Sequence, residues 1–315
     1  MITIQTQNFG TEIEMTGLTR GAAAKVIAKY FETNSIERLH DSYDTYIALD
    51  RKGRRWKAMS DASITPSRKI NGNRVSASDL YKCEIVTPIL QYEDIEDLQN
   101  IIRELVKKGA IVNSSCGIHI HVDGANHNAG SLVRLLNFAV GRQELFNEAL
   151  NNKYRSNWCR NTSAKLLKAL KNDEEKSLES LKRIWYSSVN DDYRGGIDTR
   201  SHYNQTRYHG INLHAFFSKG TVEFRLFNST LHAGKIKAYI QFCLAMSAWA
   251  INAKNNLYFK YCGAYTQEQK EKLMKGVLKR RLGMSGPEFK TARLHLTAAF
   301  RTEEQEQTTE EEATA

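Results

Sequence analysis

The alternation of apolar and polar residues predicts strands and helices mixed early in the chain, a helical middle, further strands and a helical end. In "FGTEIEM" (residues 9–15) a side-chain period of two sets Phe9, Ile13 and Met15 on one side. Glu12 and Glu14 take the other side, and Thr11 interrupts the apolar row. "LTRGAAAKVIAKYFE" follows with helical spacing and Thr19 placed as its N-cap. "YIALDRKGRRWKAMSD" predicts a hairpin turning around Gly53, and "ITPSRKINGNRVSASD" a polar loop with an Asn-Gly turn. "LYKCEIVTP" reads as a strand halted by Pro88. Ile95, Leu98, Ile102 and Leu105 recur at helical spacing in "YEDIEDLQNIIRELVKKGA", which Gly109 ends. "GIHIHVDG" is the next strand.

Residues 129–190 read as mainly helical and basic, and a polar, arginine-bearing loop spans 191–209. "GINLHAFF" and "GTVEFRLFN" are two more predicted strands with a turn at Gly220. An apolar helix over 234–253 and basic helices over 266–300 complete the pattern. It predicts one α+β domain over 1–300 with a largely antiparallel sheet, a helical insertion at 129–190, and a tail over 301–315.

Composition narrows the partners. With 315 residues, 41% hydrophobic, the chain can bury one large core or two medium ones. No apolar run approaches the roughly 20 residues that span a bilayer. "MITIQTQNFG" lacks the basic and apolar regions of a secretory signal, so no membrane partner and a cytoplasmic location are expected. Five cysteines (Cys83, Cys116, Cys159, Cys243, Cys262) with no CxxC spacing point to a reduced protein without a thiolate zinc site. The tail "RTEEQEQTTEEEATA" holds one Arg and six Glu, so of the formal +10 the remaining body carries +15. The tail has no hydrophobic anchor and is expected to be disordered. The basic body suits polyanions: nucleotide phosphates, nucleic acid or an acidic substrate.

The polar faces of the strands carry the chemistry. Ile118, Ile120 and Val122 oppose His119, His121 and Asp123; Val222, Phe224 and Leu226 oppose Thr221, Glu223 and Arg225. Tyr81, Cys83 and Ile85 oppose Lys82 and Glu84. An ordinary amphipathic strand would be completed by Thr, Lys, Ser and Gln, whereas here Glu12, Glu14, Glu84, His119 and Glu223 recur. Converging carboxylates raise one another's pKa unless a cation joins them. An oxygen-rich set with one imidazole suits Mg²⁺ or Mn²⁺ better than zinc. Four glutamates exceed what one magnesium needs and fit two or more ions clamping a polyphosphate. Arg225, two residues from Glu223, would then neutralise a transferring phosphoryl group.

The ordered motifs "FGTEIEM", "WKAMSDASI", "CEIVTPIL", "CGIHIHVD" and "RYHGINLHAFFSKGTVEFRLFNSTL", within residues 8–232, resemble the carboxylate–amine ligases of the glutamine synthetase and glutamate–cysteine ligase superfamily. The branch they most resemble is the amidoligases of bacteria and phages. The resemblance implies a curved antiparallel sheet, helices on its convex face, and ATP with divalent metals on its concave face. It implies an acyl phosphate formed from a carboxylate and resolved by an amine into an amide or isopeptide bond. By the same resemblance Glu14 and Glu84 hold the metal nearer the amino-acid side, and Glu12, His119 and Glu223 the metal bridging the ATP phosphates. Arg225 matches the arginine that stabilises the transferring phosphoryl.

Further assignments follow with alternatives open. Asp61, with Ser63 in an acid-x-Ser pattern, is a candidate acceptor for the amine proton. One more metal carboxylate is expected near Glu84; Glu93 and Glu96 are out of register, and Asp61 is a candidate for that place too. His121 faces the nucleotide or orients a neighbour. Arg207, Arg200 and Arg194 are candidates for binding a carboxylate or phosphate, and Asn212 for binding substrate. Trp56 either stacks on adenine or packs in the core. Expected partners are amino acids, peptides or proteins bearing the amine and carboxylate, with a nucleic-acid or modified-base acceptor compatible with the charge. A metal-dependent nuclease or phosphohydrolase and a non-catalytic nucleic-acid-binding protein are the competing readings.

Overall fold

The computed structural model describes residues 1–152, 157–188, 201, 203–256, 261 and 264–301, and the chain divides into two units. Arg194, Arg200, Cys262 and residues 302–315 of the tail lie outside the described residues. One unit comprises Gln5–Asp123 and Phe227–Lys237; the other comprises Met1–Ile4, Gly124–Leu226 and the chain from Ala238 onward.

In the first unit the alternating segments become β1 (Phe9–Met15), β2 (Ile36–Arg38), β3 (Tyr46–Leu49), β4 (Arg55–Met59), β7 (Cys83–Val86) and β8 (Gly117–Asp123), with a separate ribbon of β5 (Ser67–Ile70) and β6 (Asn73–Ser76). The six sheet strands run in the order β2-β3-β4-β7-β1-β8, with every pairing antiparallel. Helix α1 (Arg20–Tyr30) starts where Thr19 accepts the N–H of Ala22, and it lies against β3 and β4. Helix α2 (Ile95–Lys107) buries Ile95, Leu98, Ile101, Ile102 and Leu105 and packs on α1. Ile13, Met15, Ile85, Ile118 and Ile120 are fully buried on the apolar sheet face. Arg20, buried at the head of α1, pairs with Asp44 at 2.6 Å and donates to the carbonyl of Lys82 at 3.0 Å, fixing the entry to β7.

Two local readings change. The polar loop over 64–79 contains the β5–β6 hairpin, because Asn71 (φ +50°) and Gly72 (φ +81°) both adopt the left-handed conformation of a tight two-residue turn. The β3–β4 hairpin turns as expected at Gly53 (φ +75°), where Asp50 accepts the N–H groups of Lys52 and Arg54.

The second unit is mainly helical. The stretch read as an insertion carries α3 (Ala129–Val140), α4 (Gln143–Ala149), α5 (Ala164–Lys171) and α6 (Leu178–Ser188). There follow β9 (Ile211–Asn212), α7 (His214–Lys219), β10 (Thr221–Asn228), α8 (Ala233–Asn252), α9 (Gln267–Gly276) and α10 (Lys290–Thr297). Phe138, Phe146 and Phe242 pack together in its core, with Phe146 and Phe242 edge-to-face at 5.2 Å. "GINLHAFF" is not one strand. Only Ile211–Asn212 is extended, because the Asn212 side-chain oxygen accepts the N–H of His214 at 2.8 Å and of Ala215 at 3.4 Å and so starts a helical turn.

The described residues thus form a mixed α+β structure with a large antiparallel sheet and ten α-helices. No helix among them is long and apolar enough to cross a membrane. The four described cysteines are buried, free thiols.

Candidate metal centre and active site

Strand register gathers the acids. In the β1–β7 pairing Glu14 stands directly opposite Glu84, and in β1–β8 Glu12 stands opposite His119. Directly opposed residues share a face. Ile13, opposite both Ile85 and Ile118, therefore points to the apolar side, and the glutamates point away from it. β4 adds Met59 opposite Glu84, and Asp61 follows two residues on. Ligand atoms of Glu12, Glu84 and His119 all lie within 4.8 Å of one another, and so do those of Glu14, Asp61 and Glu84. Glu84 belongs to both groups.

These side chains are held. His119 Nδ1 lies 2.9 Å from Glu12 Oε2 and its Nε2 lies 3.9 Å from Glu14 Oε1. His121 Nε2 lies 3.2 Å from the other Glu12 oxygen. Gly117 donates its N–H to Glu14 Oε2 at 2.6 Å. Asp61 accepts the N–H of Ser63 at 2.7 Å and its hydroxyl as well, a local turn that fixes the carboxylate. Burial alone pushes the Glu12 carboxyl up, but the charge of His121 and hydrogen bonds from His119 and His121 outweigh it and hold Glu12 well below the usual carboxylate range. The tautomer in which His119 gives its Nδ1 proton to Glu12 carries a lone pair on Nε2, the arrangement that suits an imidazole ligand.

The donor set is chemically specific. It offers carboxylate oxygens and one imidazole without a thiolate, and Glu14, Glu84 and His119 are buried. Two buried carboxylates, Glu14 and Glu84, with the half-buried Asp61 within a few ångströms of them, repel one another strongly unless protonated or joined by a cation. Hard divalent ions with oxygen-dominated shells, such as Mg²⁺ or Mn²⁺, suit a set of this composition.

Glu223, Arg225, Asn212 and Arg207 belong to the other unit. Glu223 and Asn212 are directly paired across β10 and β9. Arg225 Nη1 contacts one Glu223 oxygen at 2.6 Å, and Asn212 donates its amide to the other at 2.6 Å. Glu223, Arg225 and Asn212 are all buried. The Arg225 guanidinium lies 5.8 Å from the centre of the Tyr208 ring, and Arg207 lies 5.5 Å from the same ring and 5.9 Å from that of Tyr203. Asn212 therefore serves Glu223 through its amide and α7 through its carbonyl. Trp56 is fully buried, 5.5 Å from the Phe31 ring, and donates to Asp50 at 3.3 Å; it is a core residue rather than a stacking platform for adenine.

Sequence reasoning missed Gly117, which acts through its backbone, and Tyr208, whose only sign was its place in the "RYHG" motif. Neither has a side-chain signature that periodicity would reveal.

Fold and site together define a mixed α+β protein that presents a sheet face lined by carboxylates and imidazole, in groups that could hold a metal ion. A family model described as "Putative amidoligase enzyme" matches residues 5–247, and the chain belongs to that amidoligase family, whose description is that of a ligase. No curated protein matches the chain.

Proposed function

We propose that the protein is an ATP-dependent carboxylate–amine ligase in which Glu12, Glu14, Asp61, Glu84 and His119 hold two or more Mg²⁺ or Mn²⁺ ions. The observation that carries this reading is the sharing of Glu84 by two donor trios on one sheet face. Divalent ions bound there would screen the repulsion between a carboxylate and the ATP phosphates and polarise the phosphoryl group.

The chain's own residues divide the remaining work. A substrate carboxylate oxygen attacks the γ-phosphorus of ATP, the bond to the β–γ bridging oxygen breaks, and ADP leaves. The amine nitrogen then attacks the acyl carbon, the carbon–oxygen bond to phosphate breaks, and the amine proton passes to an acceptor. Such transfer gains mainly from positioning and charge stabilisation. The resemblance gives Arg225 to the transferring phosphoryl and Glu223 to the metal on the nucleotide side. Asn212 and Arg225 fix the orientation of the Glu223 carboxylate. His121 orients Glu12 from its second oxygen. We place Asp61 with the ligands rather than as the proton acceptor, because its ligand atom lies within 4.8 Å of those of Glu14 and Glu84. Arg207 is assigned to an anionic group of nucleotide or substrate. The glutamine synthetase-like curvature, with helices on the convex side, is part of the same reading.

Incubation with ATP, Mg²⁺ and pooled amino acids and short peptides tests it. ADP, phosphate and a product of summed mass less one water are expected, and all three should disappear in Glu223→Ala. Mg²⁺-dependent cleavage of DNA or RNA without ATP would instead identify a nuclease. Full ADP release by Glu223→Ala would remove Glu223 from the site.

A further inference from the structure

The β5–β6 ribbon carries a pairing that the fold does not require. Its register places Lys69 directly opposite Arg74, so an ammonium and a guanidinium share one face of a two-stranded sheet. Like charges in that relation destabilise a hairpin. Both side chains are exposed, and among the described residues neither ion-pairs with a carboxylate. Arg74 is moreover held in place, since it donates to the carbonyl of Val112 at 2.9 Å. Arg68, on the opposite face, is engaged by Tyr81, with its guanidinium 5.6 Å from the ring centre and a hydrogen bond to the hydroxyl at 3.3 Å.

The root of this ribbon is stitched to the candidate site. Thr16 donates its hydroxyl to the Ser67 carbonyl at 2.7 Å and accepts the Ser67 N–H at 2.8 Å, and Gly17 donates to the same carbonyl at 2.9 Å. Thr16 is two residues beyond Glu14, about 7 Å along the strand. On the other side the Thr65 carbonyl accepts from Asn113 and its N–H donates to Ser115, two residues before Gly117, which binds Glu14. The root of the ribbon is therefore joined to the two segments that carry Glu14 and its partner Gly117.

We propose that Lys69 and Arg74 form a docking clamp for anionic groups of the substrate beyond the reacting carboxylate, so that the preferred substrate is a carboxylate-rich peptide. The proposal rests on the ligase reading for the word substrate, but the binding it asserts needs no ATP. A nucleic-acid footprint commonly neutralises about 6–10 phosphates; a clamp of one ammonium and one guanidinium matches discrete carboxylates instead. The like-charge pair is then kept for recognition at the expense of hairpin stability.

Fluorescence anisotropy with labelled hexaglutamate, without ATP, tests the clamp against a labelled uncharged peptide and a single-stranded oligonucleotide. The wild-type chain should prefer hexaglutamate, and Lys69→Ala/Arg74→Ala should weaken that binding at least about tenfold. Lys69→Glu should weaken binding too while raising the melting temperature, because it turns the like-charge pair into an ion pair. A ribbon with only a structural role would not give that combination. Unchanged hexaglutamate affinity in both variants, or a preference for the oligonucleotide with a salt dependence of six or more counterions, overturns the proposal. ADP release is measured separately: peptide binding without any turnover keeps the clamp and removes the ligase reading, whereas turnover with unaltered binding in the variants does the reverse.

Discussion

At the scale of single residues, Glu84 is common to the Glu12–Glu84–His119 and Glu14–Asp61–Glu84 groups. Glu84→Gln keeps the shape of the side chain and removes its charge, so each trio loses an anionic ligand at once. We expect kcat/KM for ADP release to fall by about 10²-fold or more, with the far-ultraviolet circular dichroism unchanged. Asp61→Asn touches only the Glu14–Asp61–Glu84 group, and steady-state kinetics with varied Mg²⁺ should show a smaller loss that higher metal concentration partly restores. Equal, complete and metal-independent losses in the two variants would contradict the shared-ligand arrangement. The chemical types of these residues were legible in the sequence, since Glu and His are unusual fillers for a solvated strand face. Asp61 was legible only as a candidate, because its place beside Glu14 and Glu84 follows from the pairing of β4 with β7.

At the scale of elements, periodicity reveals which side a residue faces but not which residue it meets. Glu12 and Glu14 were predicted to share a face from their spacing. That Glu14 meets Glu84, and Glu12 meets His119, is a matter of register, which side-chain contacts and turn geometry set. The same limit explains the two altered elements. The Asn71–Gly72 turn was visible, but the short polar strands on either side carry no apolar alternation to announce them. "GINLHAFF" alternates like a strand, yet the Asn212 carbonyl captures two backbone N–H groups and converts it to a helix start.

The β3–β4 hairpin is tied to α2 by a charged cluster that makes a prediction of its own. Arg54 binds Asp50 at 2.7 Å and Asp94 at 2.7 Å, and Lys52 approaches Asp94 at 3.3 Å. Burial pushes the Asp94 carboxyl up, but hydrogen bonds from Arg54, the Gln91 N–H and Lys52 prevail and bring it from 3.8 down to about 2. A depressed folded-state pKa stabilises the fold above the unfolded value and ceases to do so as pH falls through the folded one. Asp94 should therefore contribute about 2 kcal/mol at neutral pH, lost progressively between about pH 4 and pH 2. Urea melts of wild type and Asp94→Asn should differ at pH 7 and converge near pH 2. A difference that stays constant across that window would show that Asp94 is not linked to folding through its charge.

At the scale of the whole molecule, the ordered motifs were enough to point to the family, because residues 5–247 match its model and the motifs fall inside that span. Substrate identity was not legible in the same way. Net charge is a sum over the surface and distinguishes polyanions poorly, so the proposed clamp rests on two particular cations, Lys69 and Arg74, and not on that sum. The alternation of polar faces could suggest metal chemistry, but only chain pairing makes one glutamate common to two groups.

The central claim is that this shared glutamate helps hold more than one divalent ion. Titration with Mn²⁺, with free ion followed by electron paramagnetic resonance in the presence of a non-hydrolysable ATP analogue, tests it most directly. The account predicts at least two bound Mn²⁺ per wild-type chain and loss of tight binding in Glu84→Gln. Binding that is absent in the wild type, or unchanged in that variant, would contradict it.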